Sequence, residues 1–118
     1  MMSEIRLTLP YPPSTNRYWR TTKRGTTYVS PEAKAYKAEV GWLAKAAGVE
    51  PLTGDLFVTA QVYRPRKAGD LSNRQKVLED ALQGFAYLDD NQIAGYYFTR
   101  HDDKDNPRVE IVIEQMED

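Results

Sequence analysis

Three stretches of this chain place an aliphatic side chain at every second residue, and that period limits what the chain can fold into. They are Ile5, Leu7 and Leu9; Leu56, Val58, Ala60 and Val62; and Val109, Ile111 and Ile113. Successive side chains of a strand point to opposite faces, so each run reads as a half-buried strand whose apolar face needs a cover. Two stretches of helical period supply it. Ser30-Pro31-Glu32 is a helix start, with Ser30 as N-cap and Pro31 at the first position. Tyr36, Val40, Leu43, Ala44 and Ala47 then share one face, and Gly48 is the stop. A second helix begins near Ser72, which forms a capping box with Gln75, and buries Leu78, Ala81, Leu82 and Phe85, with Gly84 near its end.

Prolines 10, 12, 13 and 65 end the ladders. Residues 16–29 read as a loop or irregular hairpin turning at Lys23-Arg24-Gly25, residues 93–99 as a further strand, and His101–Pro107 as a polar turn. The expected fold is α+β: a four-stranded mixed sheet with two helices packed on it, in one domain over residues 1–118.

Composition closes off several functions. No apolar run approaches the roughly 18 residues that span a bilayer. The opening MMSEIRLTLPYPP has no apolar core of a secretory signal, so a cytoplasmic location and no membrane partner are expected. Cysteine is absent, which excludes disulfides and thiolate metal sites, and His101 is the single histidine. Chemistry that needs two or three imidazoles is impossible within one chain.

The net charge of −1 conceals a segregation of sign. Arg17, Arg20, Lys23, Arg24, Lys34 and Lys37 face Glu32 alone across residues 17–37. Arg64, Arg66, Lys67, Arg74 and Lys76 face Asp70 alone across residues 64–76. Acids dominate from Asp102 onward. Phosphate responds to the local field and not to the total, so the two basic segments can build a phosphate-binding face; the other reading is that they are solvated loops. In Asn16-Arg17-Tyr18-Trp19-Arg20, aromatic rings beside arginines can stack on splayed bases, or one ring can belong to the core. The phosphate contacts expected are Arg17, Arg20, Lys23, Arg24, Arg64, Arg66, Lys67 and Arg74.

The acids that can do chemistry flank the second helix: Asp70 before it, Asp89 and Asp90 after it. A helix over 72–85 is roughly 20 Å long, so these acids meet only if the chain doubles back after Gly84. Magnesium favours carboxylate oxygens, and an ammonium such as Lys76 can steady a phosphate beside it. The plainer alternatives are an acid favouring a helix N-terminus, a turn at Asp89-Asp90-Asn91, and a surface pair of Lys76 with Asp80.

Residues 64–95, RPRKAGDLSNRQKVLEDALQGFAYLDDNQIAG, resemble the active-site segment of the RusA family of Holliday junction resolvases. That segment has a basic loop, then D-L-D-N followed three residues later by Lys, then D-A-L, then L-D-D before a strand. LPYPPSTNRYWR resembles the family's N-terminal segment, and Gly25 to Ala35, with its Tyr-Val-Ser helix start, follows in register. The resemblance implies a dimeric, magnesium-dependent endodeoxyribonuclease, with manganese as a possible substitute and no nucleotide cofactor. It would act on four-way junction DNA in recombination and repair, and a two-fold enzyme would match a near two-fold substrate. It implies Asp70, Lys76 and Asp90 as catalytic residues, and a metal set of Asp70 and Asp90 with Ser72 and Asp89.

Ser72 is a departure, since the family has its second aspartate there. Either its hydroxyl binds the metal directly or through water, or Asp89 or Asp80 supplies the charge, or activity is reduced and the protein binds junctions without cutting them. A structural role for Ser72 as a cap is compatible with each. A rival from another class is an RNA-binding protein that uses the same basic face.

Overall fold

The computed structural model describes residues 3–13, 19–67 and 71–116, with the side chains of Trp19, Arg20 and Thr27 outside the description. Strand β1 (Glu4–Pro10) is followed by a two-stranded ribbon, β2 (Trp19–Thr21) and β3 (Thr27–Val29). Helix α1 (Pro31–Ala46), strand β4 (Leu56–Arg64), helix α2 (Leu71–Leu82), strand β5 (Ile93–Asp102) and strand β6 (Arg108–Gln115) complete the fold. The main sheet has the order β1-β6-β4-β5. β6 pairs antiparallel with β1 and with β4, and β5 pairs parallel with β4. The expected four-stranded mixed sheet with two helices is therefore present, and the described part of the expected hairpin, from Trp19 to Val29, is the β2–β3 ribbon. Gly25, at φ +84°, supplies its turn, and the Thr22 hydroxyl accepts from the Thr26 N–H at 3.1 Å.

Alternation in the three aliphatic runs aims one face of the sheet at the helices. Ile5, Leu7 and Leu9, Leu56 to Val62, and Val109 to Ile113 form one core with Ala33, Tyr36 and Val40 of α1 and Val77, Leu78, Ala81 and Leu82 of α2. Ser30 caps α1 as expected, its hydroxyl accepting from the Ala33 N–H at 3.2 Å. No helix among the described residues is long and apolar enough to cross a membrane.

Three sequence expectations need correction. α2 begins at Leu71, so Ser72 is its second residue and not its N-cap; Leu71 packs against the core, and that burial draws it into the helix. α2 ends at Leu82, which leaves Phe85 beyond the helix. β5 continues through His101 and Asp102, which pair with Tyr63 and Arg64, so the polar turn is shorter than the composition suggests.

Two contacts of opposite chemistry tie α1 to the end of α2 and to the loop after it. Lys37 of α1 donates to the carbonyl oxygens of Asp80 (2.8 Å) and Gln83 (3.1 Å), placing a cation at the negative end of α2. Beside it, Phe85 lies so close to Gly41 of α1 that an added Cβ would stand 2.4 Å from the ring's Cζ. In an open helix Gly41→Ala would gain about 1 kcal/mol. Here the overpacked ring reverses the sign, to a loss of about 1–2 kcal/mol in urea denaturation. In a Phe85→Ala background the same change should stabilise; the same sign in both backgrounds would show that the ring moves aside at no cost.

Candidate active site

After α2 the chain makes a tight loop before it returns as β5. Gly84, at φ +96°, donates its N–H to the Tyr87 carbonyl at 2.7 Å, closing a tight loop. Tyr87 is 1% exposed, and its hydroxyl donates to the Glu79 carbonyl inside the helix. Burial, then the neighbouring Glu79 and Asp carboxylates, pushes that hydroxyl's pKa up, so it keeps its proton and remains a donor. The returning strand is held by Gln92, whose amide donates to the carbonyls of Leu52 (2.9 Å) and Gly54 (3.1 Å).

This reversal delivers Asp90 to the polar face of α2. Ser72, Gln75, Lys76, Glu79 and Asp80 line a cavity of about 490 Å³ together with Asp90 and with Tyr96 of β5. Asp90 is fixed through its backbone, the N–H donating to Gln83 Oε1 at 3.2 Å. Asp89 turns elsewhere: its carboxylate caps a single 3-10 turn (Asp90–Gln92), accepting from the Asn91 N–H at 2.9 Å. Of the acidic pair, Asp90 is the member that enters the groove. Asp70 lies outside the described residues, as do Arg17 and the side chain of Arg20.

Glu79 and Tyr96 are lining residues that sequence reasoning did not single out. The signal for Glu79 was present: Ser72, Gln75, Lys76 and Glu79 repeat at three- and four-residue spacing and form one polar stripe. Burial raises the Glu79 pKa above its ordinary 4.5; the hydrogen bond from Gln75 (3.2 Å) opposes that shift, Asp90 adds to it, and Lys76 opposes it. Among the described residues no three Asp, Glu or His side chains gather closely enough to hold a metal ion.

The expected phosphate contacts divide by surroundings. Lys23 and Arg24 stand exposed at the turn of the β2–β3 ribbon, and Arg66 and Lys67 are exposed in the loop after β4. Arg64 is paired with Asp102, whose pKa it holds below the carboxylate range, first through their hydrogen bond. Arg74 is a strut between α2 and the proline segment. It donates to Tyr11 Oη (3.1 Å) and the Pro12 carbonyl (3.2 Å), with its guanidinium 4.9 Å from the Tyr11 ring centroid.

The domain thus carries a polar, carboxylate-bearing groove along α2 and exposed cations in the loop after β4. Residues 10–114 match the family Endodeoxyribonuclease RusA, and the chain belongs to that family. It is 37% identical to the crossover junction endodeoxyribonuclease RusA of Escherichia coli, with 98% of each chain covered. The proteins of the same name from Shigella sonnei and Enterobacteria phage 82 are 36% and 35% identical over the same share.

Glu79 ties the site to stability. A carboxyl whose folded pKa is raised favours folding while protonated, and that contribution is lost as pH rises from its ordinary value through the raised one. Glu79→Gln cannot ionise. Its stability relative to the parent, measured in EDTA, should therefore improve as pH rises above the ordinary carboxylate value of 4.5. A pH-independent difference would contradict the burial of this carboxylate.

Proposed function

We propose that this chain is a structure-specific endodeoxyribonuclease that resolves four-way DNA junctions by paired phosphodiester hydrolysis, as a cytoplasmic homodimer that requires magnesium. The observation that carries the reading is that the loop after α2 brings Asp90 into one groove with Lys76 and Ser72. The sequence resemblance assigns the family's catalytic set to these positions. The match over residues 10–114 favours an enzyme over a protein that only binds junctions.

The donors offered are all oxygen: the Asp90 carboxylate and the Ser72 hydroxyl, with Asp70 to complete the set. Hard oxygen donors suit magnesium, with manganese as a substitute. When bound, such an ion lowers the pKa of water and offsets charge on the attacked phosphate. Within the chain, Asp90 orients the attacking side and Lys76 places an ammonium against the phosphate oxygens as their charge grows. The exposed Arg66 and Lys67 hold neighbouring phosphates. A two-fold dimer sets one such groove against each of two opposing strands.

Cleavage of a labelled four-way junction with magnesium, against EDTA, tests the activity. Asp70→Asn and Asp90→Asn should each slow cleavage by about 100-fold or more while junction binding in EDTA persists. Wild-type rates in either variant would remove that residue from the set.

Ser72→Asp restores the carboxylate that the family carries there. In the first turn of α2 an added negative charge also favours the helix N-terminus, so folding should survive. Cleavage should be kept or raised and the magnesium titration should shift to lower concentration. Loss of cleavage with intact folding and binding would mean that the site is not the family's arrangement with one ligand exchanged.

A further inference from the structure

We infer that Tyr96 is a nucleobase-stacking residue of the groove between α2 and β5, with Arg100 as a phosphate contact on the same strand face. The inference rests on the junction-cleaving reading and extends it to two residues which that reading does not use. Tyr96, Phe98 and Arg100 pair with Val58, Ala60 and Val62 of β4, so they share the helix-covered face of the sheet. At this edge strand the cover is incomplete. Phe98 packs against the core, but Tyr96 stays 56% exposed while lining the same cavity as Ser72, Lys76 and Asp90. The Phe98 ring meets it edge to face, with centroids 5.8 Å apart and planes at 85°, a geometry that orients a ring without stacking on it.

The surroundings select the partner. Every other side chain lining this cavity is polar or charged, whereas the centre of a protein interface gathers apolar neighbours. A flat ring near Lys76, in a lining that also holds Glu79, Asp80 and Asp90, suits a ligand that offers a π face to the ring and a phosphate to the ammonium, which is a nucleotide. Arg100 is exposed, four residues along the same face, or about 13 Å away at ~3.3 Å per residue. Arg100 and Lys67 both act electrostatically on Asp102, so Arg100 stands at the same end of the sheet as the basic loop. One DNA strand laid along the groove would cross the loop's cations, then Arg100, then Tyr96. A branched duplex exposes unstacked base faces at its crossover, and intact duplex does not, so a stacking residue here favours branched substrate.

The experiment uses a four-way junction carrying 2-aminopurine beside the crossover, titrated in EDTA with the full chain and its variants. Wild type and Tyr96→Phe should change the probe's fluorescence on binding. Tyr96→Ala and Tyr96→Leu should bind about 5- to 100-fold more weakly, without that change and with unaltered melting temperature. Arg100→Ala should lower the slope of log affinity against log salt by about 0.9 and leave the fluorescence change in place. Three results would overturn the inference: wild-type affinity and fluorescence in Tyr96→Ala, an equal loss in Tyr96→Phe, or a loss explained by dissociation of the oligomer in sedimentation. A wild-type protein that binds no branched DNA overturns the proposed function and this inference together. One that binds and cleaves while Tyr96→Ala is unaffected overturns this inference alone.

Discussion

The site depends on one contact of a buried side chain, the Tyr87 hydroxyl donating to the Glu79 carbonyl. That hydrogen bond pins the returning chain to the helix it has just left, and Gly84's positive φ lets the chain turn tightly enough to reach it. The Leu52 N–H donates to the Ala86 carbonyl at 2.8 Å, tying the same reversal to the segment before β4. Lys37 reaches into this corner from α1 and satisfies carbonyls at the end of α2. Without the reversal Asp90 would emerge one helix length from Ser72. With it, Asp90, beyond the end of a twelve-residue helix, lines one cavity with Ser72 of that helix's first turn.

What could be read from the sequence was local. Strand alternation and the Ser30-Pro31 cap depend on neighbours within a few residues, and the structure keeps them. What escaped reading depended on distant partners. Leu71 joins α2 because the core lies beneath it, which moves Ser72 inside the helix. β5 lacks clean alternation because it is an edge strand with a groove on one side and an open sheet face on the other, so its last residues looked like loop. Glu79 resembled any exposed helical acid until the Asp90 turn closed over it. Residue types alone left Asp89 and Asp90 equivalent and only the family resemblance preferred Asp90, because their difference turns on which carboxylate caps the 3-10 turn.

The basic segments illustrate how charge divides between architecture and surface. Arg108 stacks 3.9 Å from the Tyr63 ring and is paired with Asp103 (2.9 Å) and Glu110 (2.8 Å), and Tyr63 in turn stacks on His101. Arg64, Arg74 and Lys37 are similarly engaged with the fold. Part of the acidic excess after Asp102 therefore serves to neutralise arginines of the adjacent strands. Lys23 and Arg24 in the β2–β3 turn and Arg66 and Lys67 in the loop after β4 stay exposed, as does Arg100 on β5. A count of basic residues overstates the field available to phosphate, because several are already compensated at short range.

An enzyme of this size acting on branched DNA cannot enclose its substrate, and the geometry follows from that limit. A cavity between two buried layers would admit a small molecule; a groove along an edge strand admits a polymer that enters and leaves at both ends. Edge strands invite unwanted pairing, and β5 carries features that oppose it: a register shift opposite Leu56 and Phe57, and a charged end at Arg100 and Asp102. Gly95 belongs to the same arrangement, since an added Cβ would come within 2.9 Å of the Phe57 ring. Phe57 thus covers the start of the strand on the open face, and Tyr96, the next residue, turns to the groove. The edge that costs the sheet a pairing partner is the edge on which α2 can bring its polar stripe to a long ligand.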